Sequence, residues 1–369
     1  MRALFFITLC LLPSIALAEG TLDPALASQA KRSSPVTYEV ELAAIVTAPY
    51  HTKTLKVWLP IPPSDETQTV ESLAWSTFPT EIEPTLTTEK VHGNRFAYYE
   101  FDHPQGAQII RHRFRATTHD LHWNIEPAKI TMPTDWPESF AAYLKSDQTV
   151  VVNDQIRQQL QSIVPTRKSP AADLTSVMLW TQQTLKYDHG KASLAASSLH
   201  ALETKTGHCS DYHGLCSAFG RALGYPTRVT YGINMFPKNS PSHCKLEAYL
   251  PPYGWVSFDV SETQKLVQAI EKDQKLSDDE RTRLTTAALD RLKSGFRDNT
   301  WLLQTRGTGY DLAPPAAKKV NVVRTLYAEA DGVALPEPDP ADASQVKFAW
   351  QVGMKIKADR PVKYPFSYP

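Results

Sequence analysis

Net charge is what this chain most plainly lacks. Its 369 residues set 39 Lys and Arg against 39 Asp and Glu, a formal balance of zero. That leaves no basic footprint for nucleic acid and no support for a strongly charged partner. Internal repeats, low-complexity tracts, a Cys-x-x-Cys pair and a clustered acidic loop for calcium are missing too. Long apolar runs are absent: the most sustained, Ala3 to Leu12, falls short of the ~20 residues that span a bilayer. With Arg2 before it and Ala16-Leu17-Ala18 after it, this run reads as a secretory signal peptide over residues 1–18. The expectation is an exported protein, periplasmic or secreted, with no integral membrane segment after cleavage.

Cysteine is scarce. Of the four in the chain, Cys10 leaves with the signal, and Cys209, Cys216 and Cys244 remain. An odd count in an exported protein points to a free thiol. Cys216 lies two turns along a helix from Cys209, whereas Cys244 points away from His243 on a strand. The spacing predicts no Cys216–Cys244 bridge, but two buried, inert thiols and one reactive one.

What the chain does have is 42% hydrophobic residues, enough for one large core or two modest ones. After a small, polar lead-in over residues 19–34, period-2 runs dominate. Tyr38, Val40, Leu42, Ala44 and Val46 alternate with polar residues, as do Leu55, Val57 and Leu59, and then Ile110, His112, Phe114 and Ala116. They predict an antiparallel β domain over 35–122, with Arg111, Arg113 and Arg115 on a solvated sheet face. Prolines break up a connector at 123–149. Helices are announced by Asn153, by Ser169-Pro170 and by the capping box Ser277 to Glu280. Val320 to Leu326 reads as strand-like. A final strand alternates through Val346, Phe348, Trp350, Val352, Met354 and Ile356.

The most informative stretch runs from Thr206 to Thr263. Tyr212, Leu215, Cys216, Phe219 and Leu223 form one face of a helix that Gly224 and Pro226 stop. Cys209 falls in its first turn, where the helix dipole and free N–H groups favour a thiolate. His243 to Leu250 and Trp255 to Val260 read as a hairpin through Pro251-Pro252. Centred on Pro251, it sets His243 directly opposite Asp259 on the same face, and a one-residue slip would separate them. Cys209, His243 and Asp259 are then nucleophile, base and orienter. The backbone N–H of Cys209 is the one oxyanion donor the helix start offers.

These motifs carry a resemblance. Cys209-Ser-Asp-Tyr-His213, Arg221-Ala-Leu-Gly-Tyr-Pro-Thr-Arg228, His243-Cys244 and Gly254-Trp255-Val-Ser-Phe-Asp259-Val-Ser-Glu262 resemble the transglutaminase-like superfamily, most closely its bacterial exported branch. Gly307 to Pro314 and Tyr327 to Gly332 look like its C-terminal continuation. One departure is Lys245, where the branch often carries an aromatic residue. The resemblance implies an α+β fold with a papain-like, transglutaminase-type core over 150–334, a β-rich N-terminal domain and a C-terminal extension over 335–369. It also implies acyl transfer through a Cys thioester on protein, peptide or cell-wall amides, by transamidation or hydrolysis, without a cofactor. The alternative is a catalytically silent binding or scaffold module in the periplasm.

Three rival readings bear on the same residues. Cys209, His213, His243 and Cys244 offer zinc-ligand types, but adjacent strand residues point to opposite faces and cannot both ligate undistorted. Glu247 shares a strand face with His243, yet four strand residues separate them by ~13 Å. Asp211 reads as a cap on the helix start rather than part of the triad.

Overall fold

The computed structural model describes residues 22–26, 28–237, 242–338 and 349–368. The expected signal peptide, Cys10, Val346 and Phe348 lie outside the described residues. The chain opens with β1 (Lys31–Thr47), β2 (Thr54–Ile61), β3 (Gln68–Phe78), β4 (Thr85–Thr88), β5 (Arg95–Asp102) and β6 (Ala107–His122). Val36, Tyr38, Val40, Leu42, Ala44 and Val46 of β1 are buried, as are Ile110, His112, Phe114 and Ala116 of β6. The side chains between them face outward, Arg111, Arg113 and Arg115 included. Leu55, Val57 and Leu59 of β2 and Ala97, Tyr99 and Phe101 of β5 enter the same core, so two sheets share one apolar interior.

Helices and a further sheet follow. They are α1 (Ala141–Leu144), α2 (Asp154–Ile163), α3 (Pro170–Thr184), β7 (Lys186–Tyr187), α4 (Ser198–Thr204), β8 (Thr206–Gly207), α5 (Cys209–Ala222), β9 (Thr227–Asn234), β10 (Ser242–Leu250), β11 (Gly254–Phe258), α6 (Val260–Lys272) and α7 (Asp278–Ser294). Local chemistry explains their starts. Asn153 Oδ1 accepts the Ile156 N–H at 3.0 Å, Ser169 Oγ the Ala172 N–H at 3.3 Å, and Ser277 and Glu280 cap each other. At the other end of α5, Gly224 takes a φ of +83°, which glycine adopts without steric penalty. Helix α5 lays Leu215, Cys216 and Phe219 into a core that also holds Leu246, Ala248, Val256 and Phe258 of β10 and β11.

The last strands are β12 (Phe296–Arg297), β13 (Trp301–Arg306), β14 (Tyr327–Ala330), β15 (Val333–Ala334) and β16 (Trp350–Ala358). One sheet runs β12-β6-β1-β16 with β3 also on β6, one β15-β14-β2-β5-β4, and the third β11-β10-β9-β13. The final alternating strand therefore buries its apolar face by pairing antiparallel with β1, from Tyr38↔Ala358 to Val46↔Trp350. Residues 320–326 differ from the strand expected there. They make one isolated bridge, Val320 to Tyr310, and otherwise turn irregularly, with Val323 and Leu326 buried. A strand-like composition is satisfied here by side-chain burial rather than by a ladder.

Candidate active site

The site is built at the junction of β8, α5, β10 and β11. Asp211 fixes the start of α5: its carboxylate accepts the N–H of His208 at 3.1 Å and of Ser193 at 3.2 Å, and the Ser193 hydroxyl as well. Asp211 thus caps the helix, as its position in the sequence suggested. Gly207 is required beside it, because a Cβ there would sit 2.6 Å from the Asp211 Cβ. Cys209 is the first residue of the helix and packs with Ala196, Val229, Tyr231 and Cys244. Its amide N–H faces the Tyr187 hydroxyl.

The hairpin delivers the other two residues, although by a different register from the one expected. Pairing runs from Leu246↔Phe258 to Leu250↔Gly254, around a turn centred on Pro252 rather than Pro251. Continued by one step, it sets Asp259 across from Lys245 and diagonal to His243. An offset of two residues keeps all three on one face, so the contact survives. The strand also ends at Phe258, two residues before the expected Val260: Asp259 is the N-cap of α6, and its Oδ1 accepts the Glu262 N–H at 3.1 Å. Oδ2 lies 2.8 Å from His243 Nε2. Nδ1 of His243 lies on the other side of the ring, 4.0 Å from Glu262 Oε1, and the imidazole also feels the charge of the Cys209 thiolate.

Burial and charge polarise these groups. The Cys209 thiol is held well below its ordinary pKa, first by a hydrogen bond from the Cys244 thiol and then, against burial, by the charge and hydrogen bond of His243. For His243, burial works against the cation, but Asp259 and the Cys209 thiolate outweigh it and raise the imidazole to about 9. Burial would likewise raise Asp259, yet His243 and Lys245 hold its carboxyl well below the usual range. With the thiol held low and the imidazole raised to about 9, the arrangement therefore favours a thiolate–imidazolium pair over a neutral thiol and imidazole on the acid side of that value.

Other residues were not legible as parts of this neighbourhood. Lys245 is fully buried, with Nζ 2.6 Å from Asp259 Oδ2 and 3.0 Å from Asp298 Oδ2. Its signal was present: a lysine two residues from the histidine, on a strand buried along both faces, must find an anion. Cys244 is buried in the same apolar cluster as Cys209, and burial pushes its thiol well up, as expected of an inert thiol. Cys216 behaves as expected, donating to Thr181 Oγ1 at 3.4 Å, with burial pushing its thiol up to about 12. All three cysteines are free. His213 Nε2 accepts the Val260 N–H at 3.1 Å, so the proton of this neutral ring sits on Nδ1, 3.7 Å from Cys244 Sγ. Among the described residues no group of three or more His, Cys, Asp and Glu is arranged to hold a metal ion. Glu247 bonds Arg228 Nε at 2.7 Å and takes no part in orienting His243.

Comparison with known proteins adds a family match and a fold. Residues 157–260 match the model of the transglutaminase-like superfamily. An uncharacterised protein of Haemophilus influenzae is 20% identical over 316 residues, covering 78% of this chain and 83% of that one. The crystal structure of a candidate cysteine protease from Cytophaga hutchinsonii superposes with a TM-score of 0.60 at 14% identity, covering 92% of this chain and 96% of the other. That likeness shows a shared fold. No helix among the described residues is long and apolar enough to cross a membrane.

Proposed function

Residues 157–260 belong to the transglutaminase-like superfamily, and from that premise we propose that the chain is a thiol acyltransferase whose catalytic residues are Cys209, His243 and Asp259. The Cys209 thiolate attacks the carbonyl carbon of an amide, and the electron pair moves to the carbonyl oxygen. As the tetrahedral intermediate collapses, His243 gives its proton to the departing nitrogen, and a thioester and a free amine result. A second amine, or water, then attacks the thioester. His243 takes the proton from that nucleophile and the thiolate is restored. Asp259 holds the imidazole through Nε2 and stabilises its charged form. The Cys209 amide N–H, at a helix start, is an oxyanion donor when the substrate oxygen replaces the Tyr187 hydroxyl.

The observation that supports this reading most is the buried pairing of His243 Nε2 with Asp259 Oδ2 at 2.8 Å, beside a thiol at the first residue of a helix. Protein, peptide or cell-wall amides fit as substrates, and the residue pattern before Glu19 supports export. The test is alkylation of the protein by iodoacetamide at about pH 6, well below the ~8.5 of a free thiol. Rapid labelling confined to Cys209, and slowed in His243→Ala, is the expected result. Slow or indiscriminate labelling of folded, reduced protein would instead favour a silent scaffold.

A further inference from the structure

Arg324 has no part in the chemistry above, yet it stands next to it. The irregular segment that carries it is tied down by Thr305 Oγ1, which donates to the Val323 carbonyl at 2.7 Å. The neighbouring Val322 packs on the apolar cluster that contains Cys209. Arg324 is only 7% exposed. Its NH1 meets Nε2 of His208, the residue immediately before Cys209, at 3.1 Å. Nε has no hydrogen-bond partner. NH2 approaches Oε2 of Glu337 at 2.8 Å as a charge contact, without a hydrogen bond's alignment. In the Cys209 cluster the fully buried Tyr231 hydroxyl also has no partner.

A guanidinium keeps its charge at any ordinary pH. Buried with spare donors, it is costly unless an anion satisfies it, and its planar fork matches a carboxylate. Glu337 is a poor permanent answer, because its side chain is one-third exposed and meets only one arm of the fork. It fits better as a resident that gives way.

We infer that Arg324 and Tyr231 form a carboxylate-binding subsite adjoining Cys209, which selects acyl donors carrying a carboxylate close to the reacting amide. Glu337 fills the subsite when no substrate does. The inference rests on Cys209 being the nucleophile, and the test separates the two.

Alkylation rates of Cys209 by iodoacetate and by iodoacetamide are compared near pH 7 in the full chain. A thiolate alone repels the anionic reagent and reacts faster with the neutral one. With the subsite, iodoacetate saturates and reacts about tenfold faster than iodoacetamide, the factor one charge-assisted hydrogen bond supplies. Arg324→Gln reverses that preference, and Glu337→Gln strengthens it by removing the internal competitor. The ratio is the readout, because a changed thiolate fraction scales both rates alike. An iodoacetate-to-iodoacetamide ratio equal in wild type and Arg324→Gln overturns the subsite. Should that variant fail to fold, an unchanged ratio in Glu337→Gln overturns it instead. Slow labelling by iodoacetamide with the preference intact would sink the thiolate reading and leave the subsite standing.

Discussion

Replacing Lys245 with methionine removes a cation from between two buried carboxylates while keeping much of the side chain's length. Nζ is 2.6 Å from Asp259 and 3.0 Å from Asp298, and neither carboxylate has an exposed face on which to rehydrate. Deleting one partner of a buried pair costs about 3–5 kcal/mol. The loss should fall mainly on Asp298, because Asp259 keeps a cationic partner in His243, whereas Asp298 keeps only the neutral N–H and hydroxyl of Thr300. Lys245→Met combined with Asp298→Asn should then recover about 2 kcal/mol, the coupling expected of contacting charges. Urea unfolding followed by tryptophan fluorescence reads both numbers, with the slope unchanged. The acid limb of Cys209 alkylation gives a second reading. Asp259 has a depressed pKa in the fold, so its contribution is full above the unfolded value and is lost as pH falls through the folded one. Without Lys245 that loss begins at higher pH. A Lys245→Met protein within about 0.5 kcal/mol of wild type, the range of an ordinary surface change, would refute this account of the buried lysine.

Four further outcomes follow from the geometry. In Cys209→Ala the His243 imidazole, raised to about 9 partly by the thiolate, should titrate lower; histidine NMR across pH 5–10 would contradict the ion pair if the midpoint stayed put. In the native protein the stability from that raised pKa is complete below ~6.5 and is lost as pH rises through about 9, so unfolding midpoints should decline on that alkaline side. Gly207→Ala forces a Cβ to within 2.6 Å of Asp211, which should cost about 1–3 kcal/mol and slow alkylation; a neutral effect on both would mean the helix start adjusts freely. Glu247→Gln weakens the pairing with Arg228 and should lower the urea midpoint while leaving the pH profile of alkylation in place. A shifted profile would mean Glu247 reaches His243 after all.

The place of Cys209 was legible because its helix carries every local signal at once: an apolar stripe, a capping carboxylate and a C-terminal glycine. The His243–Asp259 contact was legible for a weaker reason. Strand side chains alternate with period 2, so an even error in register left the facing pair intact. Contacts made across long sequence separations were not legible. Asp298 reaches Lys245 from the turn before β13, and Arg324 reaches His208 from an irregular segment that composition alone reads as a strand. Neither has a periodicity, since a side chain that acts through one long-range contact leaves no repeating mark. The partners of β1, β2 and β6 near the end of the chain were hidden likewise, because strand composition does not say which strand is the neighbour.

The pairing of β1 with β16 has a consequence in time. Strand β1 lies near the start of the chain and β16 near residue 358, while Phe366 packs on Phe296 with its ring 5.3 Å from Lys245 Nζ. A ribosome makes Cys209, His243 and Asp259 more than a hundred residues before it makes Phe366, so the thiol exists long before the wall around its supporting lysine. Non-local pairing of this kind is slow to form and comes last. The cover over Lys245 therefore closes only after Cys209, His243 and Asp259 have all been made, once Phe366 is in place.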